Sequence, residues 1–206
     1  MNTQDIVSAG VKLEDASKVL VMLHGRGATA RDIISLSTHL NVKDFSLLAP
    51  QASGNTWYPF SFLSPPSQNE PWLSSALIQI KDLVTHTEAQ GISKKDIYFL
   101  GFSQGACLML EFIARNAAKY GGAVAFTGGL IGDKIYTENY KGDFEKMPIF
   151  IGTSNLDFHV PVERVYATTN LLKNMGALVT EKVYENMGHT INQDEIDQAN
   201  RLIFKP

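Results

Sequence analysis

Residues 97–109, IYFLGFSQGACLM, constrain this chain more than any other stretch. Ile97, Tyr98, Phe99, Leu100 and Phe102 make a nearly continuous apolar run, and a helix-forming apolar segment begins only a few residues later. Between them lies Gly101-Phe102-Ser103-Gln104-Gly105, too short a connection for anything but a tight turn. The stretch therefore predicts strand, turn and helix, with Ser103 at the apex. Glycines two residues either side of that serine let the backbone approach itself closely. The serine hydroxyl is then lifted above the end of the strand, and the first N–H groups of the helix, which have no intrahelical acceptor, point to the same place. The pentapeptide G-x-S-x-G alone is common by chance, and it is the flanking strand and helix that give it weight.

The rest of the chain repeats this alternation. Lys18–Leu23 (KVLVML) reads as a strand covered on both faces and ends in the glycine turn His24-Gly25-Arg26-Gly27. Thr29 with Asp32 forms a plausible capping pair for a helix carrying Ile33, Leu36 and Leu40. Residues 45–49 predict a second buried strand stopped by Pro50, and residues 6–11 a short edge strand or hairpin. Leu73, Leu77, Ile80 and Val84 mark an amphipathic helix over 72–90. Further strands are expected at 122–126, 147–151 and 177–184, and helices from Pro161 and over 191–204. Such alternation predicts an α/β fold with a mainly parallel central sheet, right-handed crossovers and helices on both faces.

Residues 51–71 interrupt the pattern. They hold Trp57, Tyr58, Phe60, Phe62 and four prolines without periodicity. A loop of that length within a compact domain usually serves a site, here as a wall over the sheet's carboxyl edge. Its aromatics also offer a surface for a homodimer. At 206 residues the chain is long enough to bury a full core, so residues 1–206 are expected to form one domain with no room for a large cap.

A net charge of -3 gives no electrostatic case for nucleic acid or an anionic membrane. No apolar stretch approaches the length of a membrane span, and the first residues lack a basic region followed by an apolar run, which points to a cytoplasmic protein. The single cysteine, Cys107, reads as a small buried hydrophobe. No metal-ligand motif is present, and neither a metal nor an organic cofactor is expected.

Ligands of such a sheet sit at the carboxyl ends of its strands. A serine there becomes a nucleophile only beside a base, which needs an orienting partner of its own. Of the five histidines, His39 and His86 fall within predicted helices and His24 belongs to the glycine turn. His159 stands two residues from the best acid candidate, and such neighbours on a loop tend to point apart. His189, after the last strand and the turn-forming Gly188, is the expected base. Asp157, a few residues beyond the 147–151 strand, is the preferred acid. Asp133 is the runner-up, and Asp143 lies in a charged stretch that reads as solvated surface. Two fixed N–H donors would stabilise the oxyanion: that of Gln104, directly after the serine, and that of Arg26 in the glycine turn. The latter turn lacks the pattern of a nucleotide-binding loop.

Taken jointly, LHGRG (residues 23–27), GFSQG (101–105), D-x-x-V-P (157–161) and MGH (187–189) resemble the phospholipase/carboxylesterase family of α/β-hydrolases, which includes acyl-protein thioesterases and small bacterial carboxylesterases. The similarity runs from about Val19 to the C-terminus. It implies an α/β-hydrolase fold, a catalytic triad of Ser103, Asp157 and His189, oxyanion donors at Arg26 and Gln104, and Trp57 as a pocket-wall tryptophan. The family often has H-G-D-x-D before the V-P, whereas this chain has Thr153-Ser154-Asn155-Leu156-Asp157, so that the first aspartate is replaced by Asn155. The reading is thus a hydrolase of short to medium acyl esters or thioesters, with an open pocket lined by Trp57, Phe60, Phe62 and Phe158. A dienelactone-hydrolase-like enzyme is a rival, although those typically carry cysteine where Ser103 stands. A non-catalytic binder of small ligands is another.

Overall fold

The computed structural model describes residues 6–205. Among these residues seven strands form one sheet: β1 (Ile6–Gly10), β2 (Lys18–Leu23), β3 (Phe45–Pro50), β4 (Ile97–Phe102), β5 (Gly122–Phe126), β6 (Pro148–Ser154) and β7 (Leu178–Tyr184). Their spatial order is β1-β3-β2-β4-β5-β6-β7. Among the described residues only β1 runs antiparallel, pairing Ile6 with Pro50, so the predicted edge strand is present and the other strands are parallel. The helices are α1 (Ala30–Ser35), α2 (Trp72–Ala89), α3 (Gln104–Arg115), α4 (Val162–Asn174) and α5 (Gln193–Leu202).

Alternation of side chains along β2 explains the layering. Val19, Val21 and Leu23 enter a core shared with α2, α3 and α4, whereas Leu20 and Met22 enter a second one shared with α1 and α5. Each face of the sheet is therefore covered, as a continuous apolar strand requires. Every residue of α3 from Gln104 to Ala114 is buried, in accord with its apolar circumference. Thr29 and Asp32 do form a reciprocal capping box. The helix they open is shorter than its apolar spacing predicts: after Ser35 it tightens into a 3-10 turn, Leu36–His39. Among the described residues no cap domain is inserted, and no helix is long and apolar enough to cross a membrane.

Two local features set the geometry of the sheet's carboxyl edge. At the β4–α3 turn, a Cβ on Gly101 would stand 2.6 Å from the Gly105 carbonyl oxygen, and one on Gly105 would overlap the carbonyls of Leu23 and His24. Both positions thus exclude any side chain. Ser103 between them has φ 54 and ψ -119, a conformation that side-chain-bearing residues rarely adopt. At the start of α5, Asn192 and Glu195 form a second capping box, with Glu195 Oε2 accepting the Asn192 N–H at 3.0 Å. Glu195 is fully buried against Gly152 of β6, and its Oε1 has no partner among the described residues. Burial pushes its carboxyl up to about 7, partly offset by the Asn192 N–H, which favours the charged form.

Replacing Ser103 by glycine should relieve the turn, whereas alanine should not. Ser103→Gly is expected to be more stable than Ser103→Ala by about 1 kcal/mol, read from urea midpoints. Glu195 makes a pH-dependent contribution whose sign follows from its raised value. The folded state holds its proton more tightly than the unfolded chain, so stability is greatest below about 4.5 and declines as the pH rises through about 7. By linkage the loss amounts to roughly 3 kcal/mol at most. Glu195→Gln should match wild type near pH 4.5 and exceed it at pH 8; parallel stability–pH curves for the two proteins would refute this role.

Candidate active site

The parallel register brings the sequence-distant residues together. Leu23 at the end of β2 is paired with Gly101 of β4, and Phe102 with Phe126 of β5, so the turns after these strands emerge side by side. A Cβ on Gly25 would lie 3.5 Å from Ser103 Cβ, which places the glycine turn directly beside the serine. Ser103 N–H remains bonded to Phe126 O at 3.0 Å, and Ser103 O accepts the Cys107 N–H at 2.9 Å. Its backbone is therefore held from both the sheet and the helix.

Ser103 Oγ lies 2.8 Å from His189 Nε2, and His189 Nδ1 lies 2.6 Å from Asp157 Oδ2. A carboxylate only accepts, so Nδ1 carries the imidazole proton and Nε2 is left to receive that of the serine. The second oxygen, Asp157 Oδ1, accepts the N–H groups of His159 at 2.8 Å and Val160 at 3.1 Å. These bonds curl 157–160 back on itself, which explains a departure from expectation. His159 does not point away from Asp157; its ring stands edge-on to that of His189, with centroids 4.8 Å apart. Asn155, in the place of the resembled family's earlier aspartate, accepts the Asn186 N–H through Oδ1 at 3.1 Å. It thereby ties the loop of the acid to the loop of the base. Asp133 is bonded to Tyr136 at 2.7 Å on the exposed surface, His39 and His86 are exposed, and Asp143 is engaged with the Glu145 N–H at 2.7 Å.

His24 is fully buried at the head of the glycine turn. Its Nδ1 faces Gly25 O at 2.8 Å and its Nε2 faces the Ala52 N–H at 3.1 Å. An acceptor on one side and a donor on the other require the neutral ring protonated at Nδ1, and burial holds its pKa below the ordinary value.

Arg26 and Gln104 contribute more than their backbones. Gln104 opens α3, where N–H groups lack intrahelical acceptors, and Arg26 belongs to the turn lying beside Ser103. Their side chains, however, both reach the long loop. The Arg26 guanidinium donates to the carbonyls of Tyr58 at 3.0 Å, Pro59 at 2.9 Å and Phe60 at 2.8 Å. The Gln104 amide donates to Tyr58 O at 2.8 Å and accepts the Trp57 N–H at 3.1 Å. Buried Asn69 closes the loop on itself, accepting the Phe60 N–H at 2.9 Å and donating to Ser61 O at 3.0 Å.

A cleft of about 400 Å³ opens at Ser103, lined by Arg26, Tyr58, Phe60, Phe62, Gln104, Cys107, His159, Val160 and His189, together with Pro59 and Ser61. Phe60 and Phe62 stand in its wall. Trp57 and Phe158 do not. Trp57 is buried beneath the loop because its indole N–H is drawn to His24 O, at 2.8 Å, and its ring packs on the His24 imidazole. Phe158 is 97% exposed, turned outward by the same curl that brings His159 inward. Tyr58, His159 and Cys107 are lining residues that the sequence reading passed over. For Cys107 a signal existed: on a helix starting at Ser103, position 107 is one turn on and faces the same way. A larger groove of about 640 Å³ follows the β1 edge between Ser8, Leu13, Leu83 and His86, remote from Ser103. Among the described residues no cluster of three or more His, Cys, Asp or Glu side chains could hold a metal ion.

The chain superposes on a phospholipase/carboxylesterase from Dyadobacter fermentans with a TM-score of 0.97 and 52% identity, covering 98% of this chain and 96% of that one. It is 27% identical to acyl-protein thioesterase 1 of Saccharomyces cerevisiae over 94% of this chain and 95% of the yeast protein. A rice relative named a probable inactive carboxylesterase is 21% identical over 92% of this chain and 84% of its own length. The fold is that of the α/β-hydrolases, without a large cap. The phospholipase/carboxylesterase family profile matches residues 2–205, and the chain belongs to that family.

Proposed function

We propose that this protein, acting as one domain, hydrolyses carboxylic esters or thioesters of short to medium acyl groups through a covalent acyl-enzyme. The observation that carries the reading is the unbroken chain Ser103 Oγ, His189 Nε2, His189 Nδ1, Asp157 Oδ2, with links of 2.8 and 2.6 Å. Both links fall within the reach required of a nucleophile and its base.

In this mechanism His189 Nε2 takes the Ser103 proton as Oγ attacks the acyl carbon, and Asp157 stabilises the imidazolium. The N–H groups of Gln104 and Arg26 stabilise the oxyanion of the tetrahedral intermediate. Collapse of that intermediate breaks the bond to the alcohol or thiol, which leaves with the proton from His189. Water then attacks the acyl-enzyme by the same route, with His189 again as base, and releases the acid and free Ser103. The 400 Å³ cleft walled by Phe60 and Phe62 supports modest acyl groups over long chains.

A binding-only role is the second reading, and it draws on the rice relative's name. Occupancy of all three triad positions, at bonding distance, favours catalysis. The discriminating experiment is intact-protein mass after exposure to a fluorophosphonate. A single adduct is expected on wild type and none on Ser103→Ala; a folded wild type that stays unlabelled would leave the binding-only role. Asp157→Asn sharpens the test. Its amide oxygen would stay on the His159 and Val160 N–H groups and turn an NH₂ donor toward Nδ1. The imidazole would then carry its proton on Nε2, where it cannot accept from Ser103. The expected loss in kcat is about 10³- to 10⁴-fold with little change in KM.

A further inference from the structure

The triad leaves two basic side chains of the cleft without a role. Arg26 and His159 both line it, and both are exposed. With His189 they are the basic groups of a lining that, among the described residues, contains no aspartate or glutamate. The chain as a whole is acidic, with a formal net charge of -3, so the cleft reverses the sign of the chain that forms it. The lining groups that could turn anionic stay neutral: burial raises the Tyr58 phenol well above its ordinary range and pushes the Cys107 thiol up to about 12. Asp157 is shut behind His189, its side chain wholly buried.

Arg26 is held in place without being neutralised. Its guanidinium donates to the carbonyls of Tyr58 and Phe60 through Nη2 and to that of Pro59 through Nη1. Carbonyls fix the group but bring no net charge to cancel its own, and among the described residues Arg26 makes no ion pair. Of its five side-chain N–H groups, that on Nε and one on Nη1 are left without an acceptor there. The cation is therefore positioned before a ligand arrives, which spares the entropy that a mobile arginine would lose on binding. His159 stands across from it against the base, with its ring edge-on to that of His189 at 4.8 Å and its backbone N–H bonded to Asp157 Oδ1 at 2.8 Å. Among the described residues neither ring nitrogen of His159 is bonded, and an imidazole in either tautomer presents an N–H. An anionic oxygen group satisfies both donors, whereas an alkyl chain satisfies neither.

We propose that the cleft selects substrates bearing a carboxylate a few atoms from the ester or thioester bond, with the Arg26 side chain as its fixed cation and His159 as a second donor. This rests on the hydrolase reading and deepens it by naming the substrate class. A carboxylate on the acyl chain, as in half-esters of dicarboxylic acids, and one on the alcohol, as in esters of hydroxy acids, offer the same chemistry, and the test separates them.

In that test kcat/KM is measured for the methyl half-esters of succinic, glutaric and adipic acids, and for the butanoyl esters of glycolic, 3-hydroxypropanoic and 4-hydroxybutanoic acids. Each is paired with the ester in which a carboxamide replaces the carboxylate. The amide matches the carboxylate in shape, and the negative charge opposes the developing oxyanion, so intrinsic reactivity works against the acid of each pair. At one spacing the carboxylate/carboxamide ratio should still reach about tenfold at low salt, in the first series for an acyl-side carboxylate and in the second for an alcohol-side one. It should shrink severalfold as salt rises from about 0.01 to 1 M and the screening length falls from roughly 30 to 3 Å. The ratio cancels any general loss of activity, and it should fall about threefold or more in Arg26→Gln and in His159→Gln, the latter leaving the loop's bonds to Arg26 intact. Wild-type ratios below about twofold at every spacing in both series would overturn the proposal, and that measurement needs no variant. A high ratio that ignores salt, or that survives in both folded variants, would overturn it too. Fluorophosphonate labelling of Ser103 without turnover of any carboxylate ester would also overturn it while leaving the triad standing. If there is neither labelling nor turnover of any ester, the hydrolase reading itself has failed, a distinct result.

Discussion

The first turn of α3 passes so close to the end of β2 that a Cβ on Gly105 would overlap the carbonyls of Leu23 and His24. Much of the site depends on that contact. It seats the helix low enough for its leading N–H groups to share a space with the turn after β2, and it forces Ser103 into positive φ at the top of β4. The strain is confined to one residue because the surroundings determine it fully. Ser103 N–H is bonded to β5, Ser103 O to Cys107, and α3 is buried on all sides. A looser helix would relax the serine toward an ordinary conformation and move its hydroxyl away from His189. Packing of an apolar helix thus positions a polar atom.

A second dependence links the glycine turn to the long loop. The loop 51–71 has little regular structure, with two short 3-10 turns at Ser53–Asn55 and Pro66–Asn69. Such a segment would be a poor wall for a cleft if it were held by its aromatics alone. It is held instead by directional bonds from residues beside the serine. Arg26 takes three successive carbonyls, Gln104 bonds three successive residues from Thr56 to Tyr58, and the indole of Trp57 reaches His24 O. The two residues proposed as oxyanion donors therefore also hold the wall of the cleft through their side chains. Substituting either side chain alters the pocket without removing a backbone donor.

How legible this was in the sequence depends on the range of the forces involved. Strands β2, β4 and β5 were readable because two-sided burial demands continuous apolar runs, and parallel order follows from the helices between them. Ser103 was readable because its flanking glycines are a local steric requirement. His189 and Asp157 could be ranked from their place after strands, a topological argument that needs no coordinates. The misplacements have a common origin. Whether His159 faces inward depends on which N–H groups Asp157 Oδ1 accepts, and whether Trp57 reaches the cleft depends on a bond to a carbonyl 33 residues away. Phe158 was misplaced as well: an aromatic beside the acid looked like a wall, and the curl of 157–160 left it in solvent.

The same bonding logic explains how a replaced aspartate is accommodated at position 155. What the loop needs there is an acceptor for the Asn186 N–H, and an amide oxygen supplies one at 3.1 Å as a carboxylate would. The charge is dispensable to that bond. Its absence also spares the site a second anion two residues from Asp157, whose carboxylate has only to accept from His189 and from two backbone N–H groups. The acid and base loops are then joined twice, once by Asn155 and once through the Asp157–His189 bond. Neither loop can shift alone without breaking one of these links.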